Sequence, residues 1–307
     1  MIKKVISIRE ILVMFAIGVI AVIVGTFLDW QISSPLFPME DNLLNGIIAS
    51  LGSVIPSIIA VFACTIMVIK PPKQIGFRIF SIAAGTITGL GAIWGNINNV
   101  LDMHKYAPVG GIGLEIALIA IGVICDIIPV ILAFFAVKVM DSDKLFKISF
   151  VIFIIFAAAF LTQTAFKYLA SRPRPRACFL DGYRPAKHGF RNWYEWAPFD
   201  CLSREIPDYY KSFFSGHTIT SVILGALLPI STLYFKKTEN NRVLQIILFY
   251  AGVLYTILIA TSRILAGAHW LSDIGFGFIF GAAIIFIVQW IMARRPEKEV
   301  AHEKQNS

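Results

Sequence analysis

The sequence predicts an all-α protein, a bundle of about eight helices that cross a membrane. Hydrophobic residues make up 57% of the 307 residues, and the mean hydropathy is +0.74. Both values lie above those of soluble domains. Eight apolar runs are each long enough to cross a hydrocarbon core of about 30 Å. Because backbone polar groups in lipid must be satisfied within their own segment, such runs form helices rather than isolated strands.

The eight apolar runs are spread along the whole chain. They lie near residues 11–28, 47–69, 79–96, 113–137, 148–166, 218–235, 244–261 and 274–292. The first run could be mistaken for a cleaved secretory signal, but it is long and lacks a clear small-residue cleavage site after Gly25. We therefore expect it to be retained as the first transmembrane helix.

Basic residues predict the orientation of the bundle, because cytoplasmic connections carry an excess of Lys and Arg. If the N-terminus lies inside, so do the basic segments Lys70–Arg78, Lys138–Lys147, Lys236–Arg242 and the tail after Arg294. The opposite connections at 29–46 and 97–112 contain one basic residue, Lys105. We therefore predict a multi-pass cell-membrane protein with both termini in the cytoplasm.

The connection 167–217 breaks this pattern, because it is predicted to lie outside and still carries nine basic residues. They are Lys167, Arg172, Arg174, Arg176, Arg184, Lys187, Arg191, Arg204 and Lys211. Topology does not explain these charges. The net charge of +8 comes mostly from topology and this loop, so it does not indicate a nucleic-acid partner.

The first candidate motif begins this loop, directly after the fifth run, with the sequence KYLASRPRPR from Lys167 to Arg176. The alternating prolines favour an extended backbone, which spreads the arginines so that they can bind an anion in a bidentate manner. Phosphate fits such a cluster best. A basic segment that touches lipid headgroups is the alternative interpretation of this stretch taken alone.

The second candidate motif, Ser215-Gly216-His217, opens the sixth run. Serine is a favoured helix N-cap, and the free backbone N–H groups at a helix N-terminus bind anions. His217 would then lie where it can give a proton to a leaving oxygen. Taken alone the motif is weak, because a capping serine followed by an incidental histidine would look the same.

The third candidate motif is Ser262-Arg263-x5-His269-x3-Asp273, between the seventh and eighth runs. His269 and Asp273 are four residues apart, so on a helix they share one face and the carboxylate can hold one ring nitrogen. The other ring nitrogen is then free for nucleophilic attack. Arg263 adds a phosphate ligand from the preceding turn.

In this order the three motifs resemble those of the type 2 phosphatidic acid phosphatase (PAP2) superfamily. The first motif matches as Lys167-x6-Arg174-Pro175, and the resemblance covers roughly residues 140–292. Two features depart from the family. Phe214 stands where the family usually has Pro, and five helices precede the first motif where many members have three. We expect altered loop geometry and two extra N-terminal helices rather than loss of activity.

The resemblance implies a metal-independent phosphatase that forms a phosphohistidine and needs no cofactor. It makes His269 the nucleophile, Asp273 its orienting carboxylate and His217 the proton donor to the leaving group. The implied phosphate ligands are Lys167, Arg174, Ser215, Gly216 and Arg263. The chain then divides into four N-terminal helices at 1–140, a PAP2-type core at 141–292 and a polar cytoplasmic tail at 293–307.

The expected substrate is a phosphate or diphosphate on a membrane lipid, presented on the extracytoplasmic side. Phosphatidic acid, phosphatidylglycerol phosphate and undecaprenyl diphosphate all qualify, and the aromatic-rich loop 178–213 is expected to set the choice. A phosphatase for a soluble ester, as in glucose-6-phosphatase-like members, and a phosphotransferase remain open. A non-catalytic transporter or scaffold is a remote alternative, because every motif residue is retained. The sequence leaves the oligomeric state open.

Three smaller features allow expectations about packing. Asp126 lies inside the fourth run, and we favour a carboxylate that bonds a neighbouring helix over a functional group. The spacings Gly85-x3-Gly89 and Gly277-x3-Gly281 would let helices approach closely. Cys178 and Cys201 share the outer loop, and the sequence leaves open whether they form a disulfide.

Overall fold

The computed structural model describes residues 5–36, 43–106, 111–179 and 189–294, and within these ranges all regular structure is helical. This confirms the predicted all-α class. The α-helices are α1 Ile8–Leu36, α2 Leu43–Ile69, α3 Ile75–Tyr106, α4 Gly111–Val139, α5 Ser142–Ala170, α6 Pro175–Phe179, α7 Gly216–Ser231, α8 Arg242–Leu265 and α9 Leu271–Arg294. Most of the predicted tail 293–307 lies outside the described residues.

Each predicted apolar run coincides with one long helix of the bundle. Seven of these helices are long and apolar enough to cross a membrane. The exception is α2, whose described apolar part, Val54–Ile69, is shorter. The chain is therefore a multi-pass membrane protein, as the composition predicts. The short helix α6 and the 3-10 turns Asp200–Ser203 and Pro207–Tyr210 lie in the loop between α5 and α7.

The first helix is part of the core of the C-terminal half and not of a separate layer. Helix α1 runs antiparallel to α9, and glycines let the two backbones approach. A Cβ on Gly18 would lie 2.7 Å from the Gly275 carbonyl oxygen, and a Cβ on Gly25 would overlap the backbone nitrogen of Ser272. Larger residues at these positions would therefore push α1 away from α9.

Both small-residue spacings lie at helix contacts, as expected. On α3, a Cβ at Gly85 would come within 3.0 Å of the Cys64 carbonyl oxygen on α2. On α9, a Cβ at Gly281 would come within 2.5 Å of Val222 on α7. Helix α7 lies at the centre of this packing, and most of its residues are buried.

Helices α3 and α4 lie at the edge of the bundle and are joined by a buried polar contact. The Asn96 side-chain amide on α3 donates to the Asp126 carboxylate on α4 over 2.7 Å, and both side chains are buried. This confirms the expectation that Asp126 bonds a neighbouring helix. An amide–carboxylate bond away from water fixes which faces of the two helices meet.

The start of α1 and the end of α9 lie at the same end of the bundle. Gln289 donates to the Ile6 carbonyl oxygen over 3.0 Å. Close by, Glu10 at the start of α1 pairs with Arg242 at the start of α8. The end of α5 and the start of α7 therefore lie at the opposite end, together with the α8–α9 connection. All three candidate motifs occur there.

Candidate active site

His269 lies in a five-residue loop between α8 and α9 that is folded tightly onto Arg263. The Arg263 carbonyl oxygen accepts the backbone N–H groups of Ala268 at 3.0 Å and His269 at 3.3 Å. Gly267 has a φ of +57°, which favours glycine. Its carbonyl oxygen accepts the Arg176 N–H at 2.9 Å. The loop that carries His269 is therefore held from both sides.

The His269 ring is oriented by a backbone carbonyl. Its Nδ1 lies 2.7 Å from the carbonyl oxygen of Ser212, in the segment before α7. Because a carbonyl oxygen can only accept a hydrogen bond, Nδ1 carries the proton and donates. The lone pair of Nε2 is then left free, which is the form that a nucleophilic histidine requires.

The direct contact between His269 and Asp273 differs from the one that the spacing predicts. His269 precedes α9 instead of lying on it, so the two side chains do not stack one helical turn apart. The closest approach of Nδ1 to an Asp273 oxygen is 4.0 Å. Asp273 instead accepts the Ser212 hydroxyl at 2.5 Å, so it orients His269 through Ser212.

The Asp273 carboxylate is fully buried and has several donors. Besides the Ser212 hydroxyl, Oδ2 accepts the Trp270 backbone N–H at 3.0 Å, and Oδ1 accepts Arg172 Nη1 at 2.6 Å. The Trp270 indole donates in turn to the Pro173 carbonyl oxygen at 2.8 Å. Asp273 therefore ties the start of α9 to the segment before α7 and to the first motif.

Cationic side chains surround the buried His269. Burial lowers the pKa of His269 well below its usual 6.5, and the nearby positive charges of Arg174, Arg263 and Lys167 lower it further. The same three cations lie within electrostatic range of His217. His269 is therefore neutral at physiological pH, and its surroundings favour an anion.

The arginines of the first motif follow the predicted extended path only in part. Arg172 and Arg174 lie in the non-helical segment after α5, but Arg176 lies in α6, because Pro175 is well suited to begin a helix. Arg174 pairs with Asp208 at 3.0 Å and Arg176 with the same carboxylate at 3.1 Å. Within the described part of the chain, Lys167 pairs with no carboxylate.

The start of α7 has the predicted N-cap. The Ser215 hydroxyl oxygen accepts the Thr218 N–H at 3.3 Å and the Thr218 hydroxyl at 2.8 Å. Since both bonds use the oxygen, the Ser215 proton remains able to donate to an anion. The Ser215 N–H donates to the Asp273 carbonyl oxygen at 3.2 Å, which joins the second motif to the third.

Gly216 is required by the close approach of α5. A Cβ at this position would overlap Oε1 of Gln163 and lie 3.1 Å from Nζ of Lys167. We predict that Gly216→Ala lowers the activity of the site about tenfold or more, with a melting temperature within a few degrees of the wild-type value, because the flexible Gln163 moves toward Lys167 and His217. Steady-state kinetics and thermal unfolding check this.

A companion substitution separates crowding from the loss of glycine flexibility. If crowding by Gln163 is the cause, Gly216→Ala combined with Gln163→Ala recovers most of the activity. A double variant as inactive as Gly216→Ala would contradict this explanation.

A cavity of about 200 Å³ opens at the start of α7. Lys167, Gly216, His217 and Gln163 line its polar end. His269 is 1% exposed and lies within electrostatic range of Lys167 and His217, but it does not line the cavity. The other end of the cavity is lined by Gly91 and its neighbours on α3 and by aromatic residues of α5.

An apolar cleft continues from this cavity between α3 and α5. Its volume is about 320 Å³. The cavity and the cleft share four lining residues, Gly91, Ala92, Phe156 and Phe160. The apolar cleft therefore adjoins the cavity whose polar end carries Lys167.

Three contact residues were not among the predicted site residues, namely Gln163, Arg172 and Ser212. Arg172 belongs to the first motif but does not match the family spacing. Its role could be recognised only from its burial and its contacts, which the sequence does not show. Gln163 precedes Lys167 by one helical turn, a spacing that could have indicated a shared face. Ser212 acts through its carbonyl oxygen, for which a sequence has no signal.

No group of three or more His, Cys, Asp or Glu side chains within the described ranges is arranged to hold a metal ion. The expected metal-free chemistry stays a prediction. Cys178 and Cys201 are both buried and have free thiols. Cys64 and Cys125, inside the helices, are also free thiols. The disulfide that the sequence left open is therefore not formed here.

The family comparison agrees with the location of the three motifs. Residues 147–297 match the model of the PAP2 superfamily. No curated protein and no solved structure gives a significant match to the chain. The matched region begins within α5 and excludes α1 to α4.

Proposed function

Because the chain is a membrane-embedded member of the PAP2 superfamily through residues 147–297, we propose that it is a phosphatase for a phosphate carried by a membrane lipid. The observation that carries this proposal is the state of His269. Its Nδ1 donates to Ser212, its Nε2 is unprotonated, and the surrounding cations favour a phosphate.

The first chemical step transfers the phosphoryl group to His269. The Nε2 lone pair attacks phosphorus, a P–N bond forms and the bond from phosphorus to the leaving oxygen breaks. His217, whose protonated form is favoured by the negative charge of the bound phosphate, gives its proton to that oxygen. Lys167, Arg174 and Arg263 stabilise the charge on the equatorial oxygens, together with the Ser215 hydroxyl and the N–H of Gly216.

The second step hydrolyses the phosphohistidine. His217, now neutral, takes a proton from water while the water oxygen attacks phosphorus and the P–N bond breaks. Inorganic phosphate leaves, and His269 returns to its starting form with the proton still on Nδ1. Throughout the cycle the Ser212 carbonyl oxygen accepts that proton, which keeps Nε2 as the reacting atom.

The cleft between α3 and α5 supports a lipid substrate. A phosphate at Lys167 would place the rest of the molecule along the cleft, whose lining is almost entirely apolar. An acyl or prenyl chain would lie along this surface, whereas a sugar phosphate has no apolar part to contact it. A soluble phosphate ester and transfer to an alcohol remain the alternative activities.

We assign the site to the extracytoplasmic side of the membrane. The opposite end of the bundle carries the basic connections Lys70–Arg78, Lys138–Lys147 and Lys236–Arg242, and such connections stay in the cytoplasm. The substrate would therefore be presented from the outer leaflet, with its headgroup at the level of His217.

Phosphate release by the detergent-purified chain tests the proposed activity. The substrates are a long-chain phosphatidic acid, undecaprenyl diphosphate, p-nitrophenyl phosphate and a sugar phosphate, each with and without a chelator. We expect the lipid substrates to have the highest kcat/KM and the chelator to have no effect. Preference for the sugar phosphate would overturn the lipid assignment.

Gly91→Leu is expected to act on the lipid tail alone. Nothing lies within 4 Å of a Cβ at Gly91, so the new side chain fills the cleft without disturbing the fold. We expect kcat/KM for long-chain phosphatidic acid to fall about tenfold or more because the leucine occupies the space of the tail, and that for p-nitrophenyl phosphate to change less than about twofold.

Gly76→Leu is the matched control for the cleft. Gly76 lies on the same helix, also has nothing within 4 Å of an added Cβ, and lies near the opposite end of α3. It should leave both activities unchanged. Equal losses on both substrates in Gly91→Leu would indicate a damaged phosphate site and contradict binding of the tail in the cleft.

A further inference from the structure

Asp29, near the end of α1, is buried against the start of α9. Its Oδ1 accepts the Ser272 N–H at 3.0 Å, and its Oδ2 accepts the Ser272 hydroxyl. The side chain is 3% exposed. Asp29 lies outside the region that matches the family model, and none of the three motifs includes it.

Arg172 joins Asp29 to the carboxylate of the third motif. Its Nη2 donates to Asp29 Oδ2 at 2.9 Å and its Nη1 to Asp273 Oδ1 at 2.6 Å. The guanidinium is 1% exposed, and its Cζ lies 5.4 Å from the centre of the Trp270 ring. One cation is thus shared by two carboxylates, and the three groups carry one net negative charge when both carboxylates are ionised.

The position of Asp29 depends on the glycine contacts between α1 and α9. Gly25, one turn before Asp29, leaves room for the Ser272 backbone, which a Cβ would overlap. The Trp193 indole in the loop before α7 also donates to Thr26 at 2.9 Å. The end of α1 is therefore fixed both to α9 and to the loop above the site.

We infer that Asp29 is a positioning residue of the phosphatase, and that α1 thereby completes a site whose proposed catalytic and phosphate-binding residues all come from the C-terminal half. This inference rests on the proposed function. Asp29 acts through Arg172, because without its charge Arg172 would neutralise Asp273 completely. With Asp29 present, the network keeps a negative charge close to His269.

That negative charge matters when the phosphohistidine forms. A histidine that keeps its Nδ1 proton and gains a phosphoryl group at Nε2 has a positively charged ring. The nearest carboxylate oxygen, from Asp273, lies 4.0 Å from Nδ1. A net negative network stabilises this ring, whereas a neutral Arg172–Asp273 pair does so much less.

The other charged groups near His269 make it sensitive to this loss. Apart from Asp273, the groups in electrostatic range are basic, namely Arg174, Arg263, Lys167 and His217. The Asp208 carboxylate is paired with Arg174 and Arg176. Removing the Asp29 charge therefore makes the surroundings of His269 more positive, which disfavours a cationic ring.

Asp29→Asn tests the inference, because it removes the charge and keeps the shape of the side chain. We expect kcat to fall about 10- to 100-fold, the range found for side chains that orient metal-bound histidines, with KM within about threefold of the wild-type value. The acid limb of kcat/KM should move to lower pH, because the cationic form of His269 becomes less stable. A purely structural role would lower the melting temperature without moving this limb.

Glu10→Gln is the matched control. It makes the same chemical change on the same helix and breaks an ion pair with Arg242, but at the opposite end of the bundle. We expect its kcat and its pH profile to equal those of the wild type. If both variants lose activity and shift alike, a general effect of α1 packing explains the result and the inference fails.

A readout without activity separates this inference from the proposed function. Titration of 15N-histidine-labelled protein in micelles, with the His269 signal assigned by its loss in His269→Asn, should give a lower midpoint in Asp29→Asn than in the wild type. If the wild type releases no phosphate from any substrate, the proposed function fails and this titration still decides the coupling. Identical titration midpoints in wild type and Asp29→Asn would overturn the inferred coupling between Asp29 and His269.

Discussion

Replacing His269 is expected to cause the largest loss of activity in this protein. Without Nε2 there is no atom to accept the phosphoryl group, so we expect kcat to fall about 10⁴-fold or more, as for other covalent nucleophiles. His269→Asn is the sharper variant. Its side-chain amide can still donate to the Ser212 carbonyl oxygen, so the loop before α9 keeps its anchor while the nucleophile is lost.

The comparison of His269→Asn with His269→Ala separates catalysis from folding. His269→Ala also loses the hydrogen bond to Ser212, which costs about 1 kcal/mol of stability, so only this variant should melt at a lower temperature. Both should be inactive, and neither should retain 32P after acid-free denaturation, whereas the wild type should. Activity that survives in either variant would exclude His269 as the nucleophile.

Replacing His217 with glutamine is expected to have the second-largest effect, and the effect should depend on the leaving group. A lipid alkoxide needs a proton to leave, so we expect phosphate release from phosphatidic acid to fall about 10²- to 10⁴-fold. Nitrophenolate leaves without one. With p-nitrophenyl phosphate the first step should still occur, and the second should be slow because no base activates water.

Rapid-mixing kinetics can detect this change of rate-limiting step. In His217→Gln we expect a burst of nitrophenolate equal to the enzyme concentration, slow turnover afterwards, and an accumulated phosphoenzyme that is stable in base and labile in acid. The wild type provides the reference, with no burst and with less phosphoenzyme than the variant. Equal losses on both substrates, with no burst, would show that His217 only binds phosphate.

The bundle could be predicted from the sequence because its cause is local. Each apolar run is long enough to satisfy its own backbone in lipid, so the number and approximate bounds of the long helices follow from composition. The sequence predicted that Asp126 bonds a neighbouring helix, since a carboxylate in an apolar run needs a partner. The identity of that partner required the packing of α3 on α4.

The sequence predicted which residues belong to the candidate site better than it predicted the hydrogen bonds between them. Lys167, Ser215 and His269 occur at fixed spacings within recognisable motifs, and the structure brings all three motifs to one end of the bundle. The spacing of His269 and Asp273 indicated a direct hydrogen bond between them. In the structure His269 lies in the loop before α9 and donates to the Ser212 carbonyl oxygen, while the Ser212 hydroxyl donates to Asp273. A carbonyl oxygen is common to every residue, so no sequence pattern could indicate that role.

The sequence by itself determined the helical class, the apolar spans and the candidate residues of the site, because all three depend on the order and type of side chains along short segments. The tertiary structure alone decided that Arg172 bridges Asp29 to Asp273, and that α1 packs against α9. Asp29 and Asp273 are more than two hundred residues apart in the chain. Their coupling depends on a close approach of two helices at glycine, and only the folded arrangement of those helices specifies it.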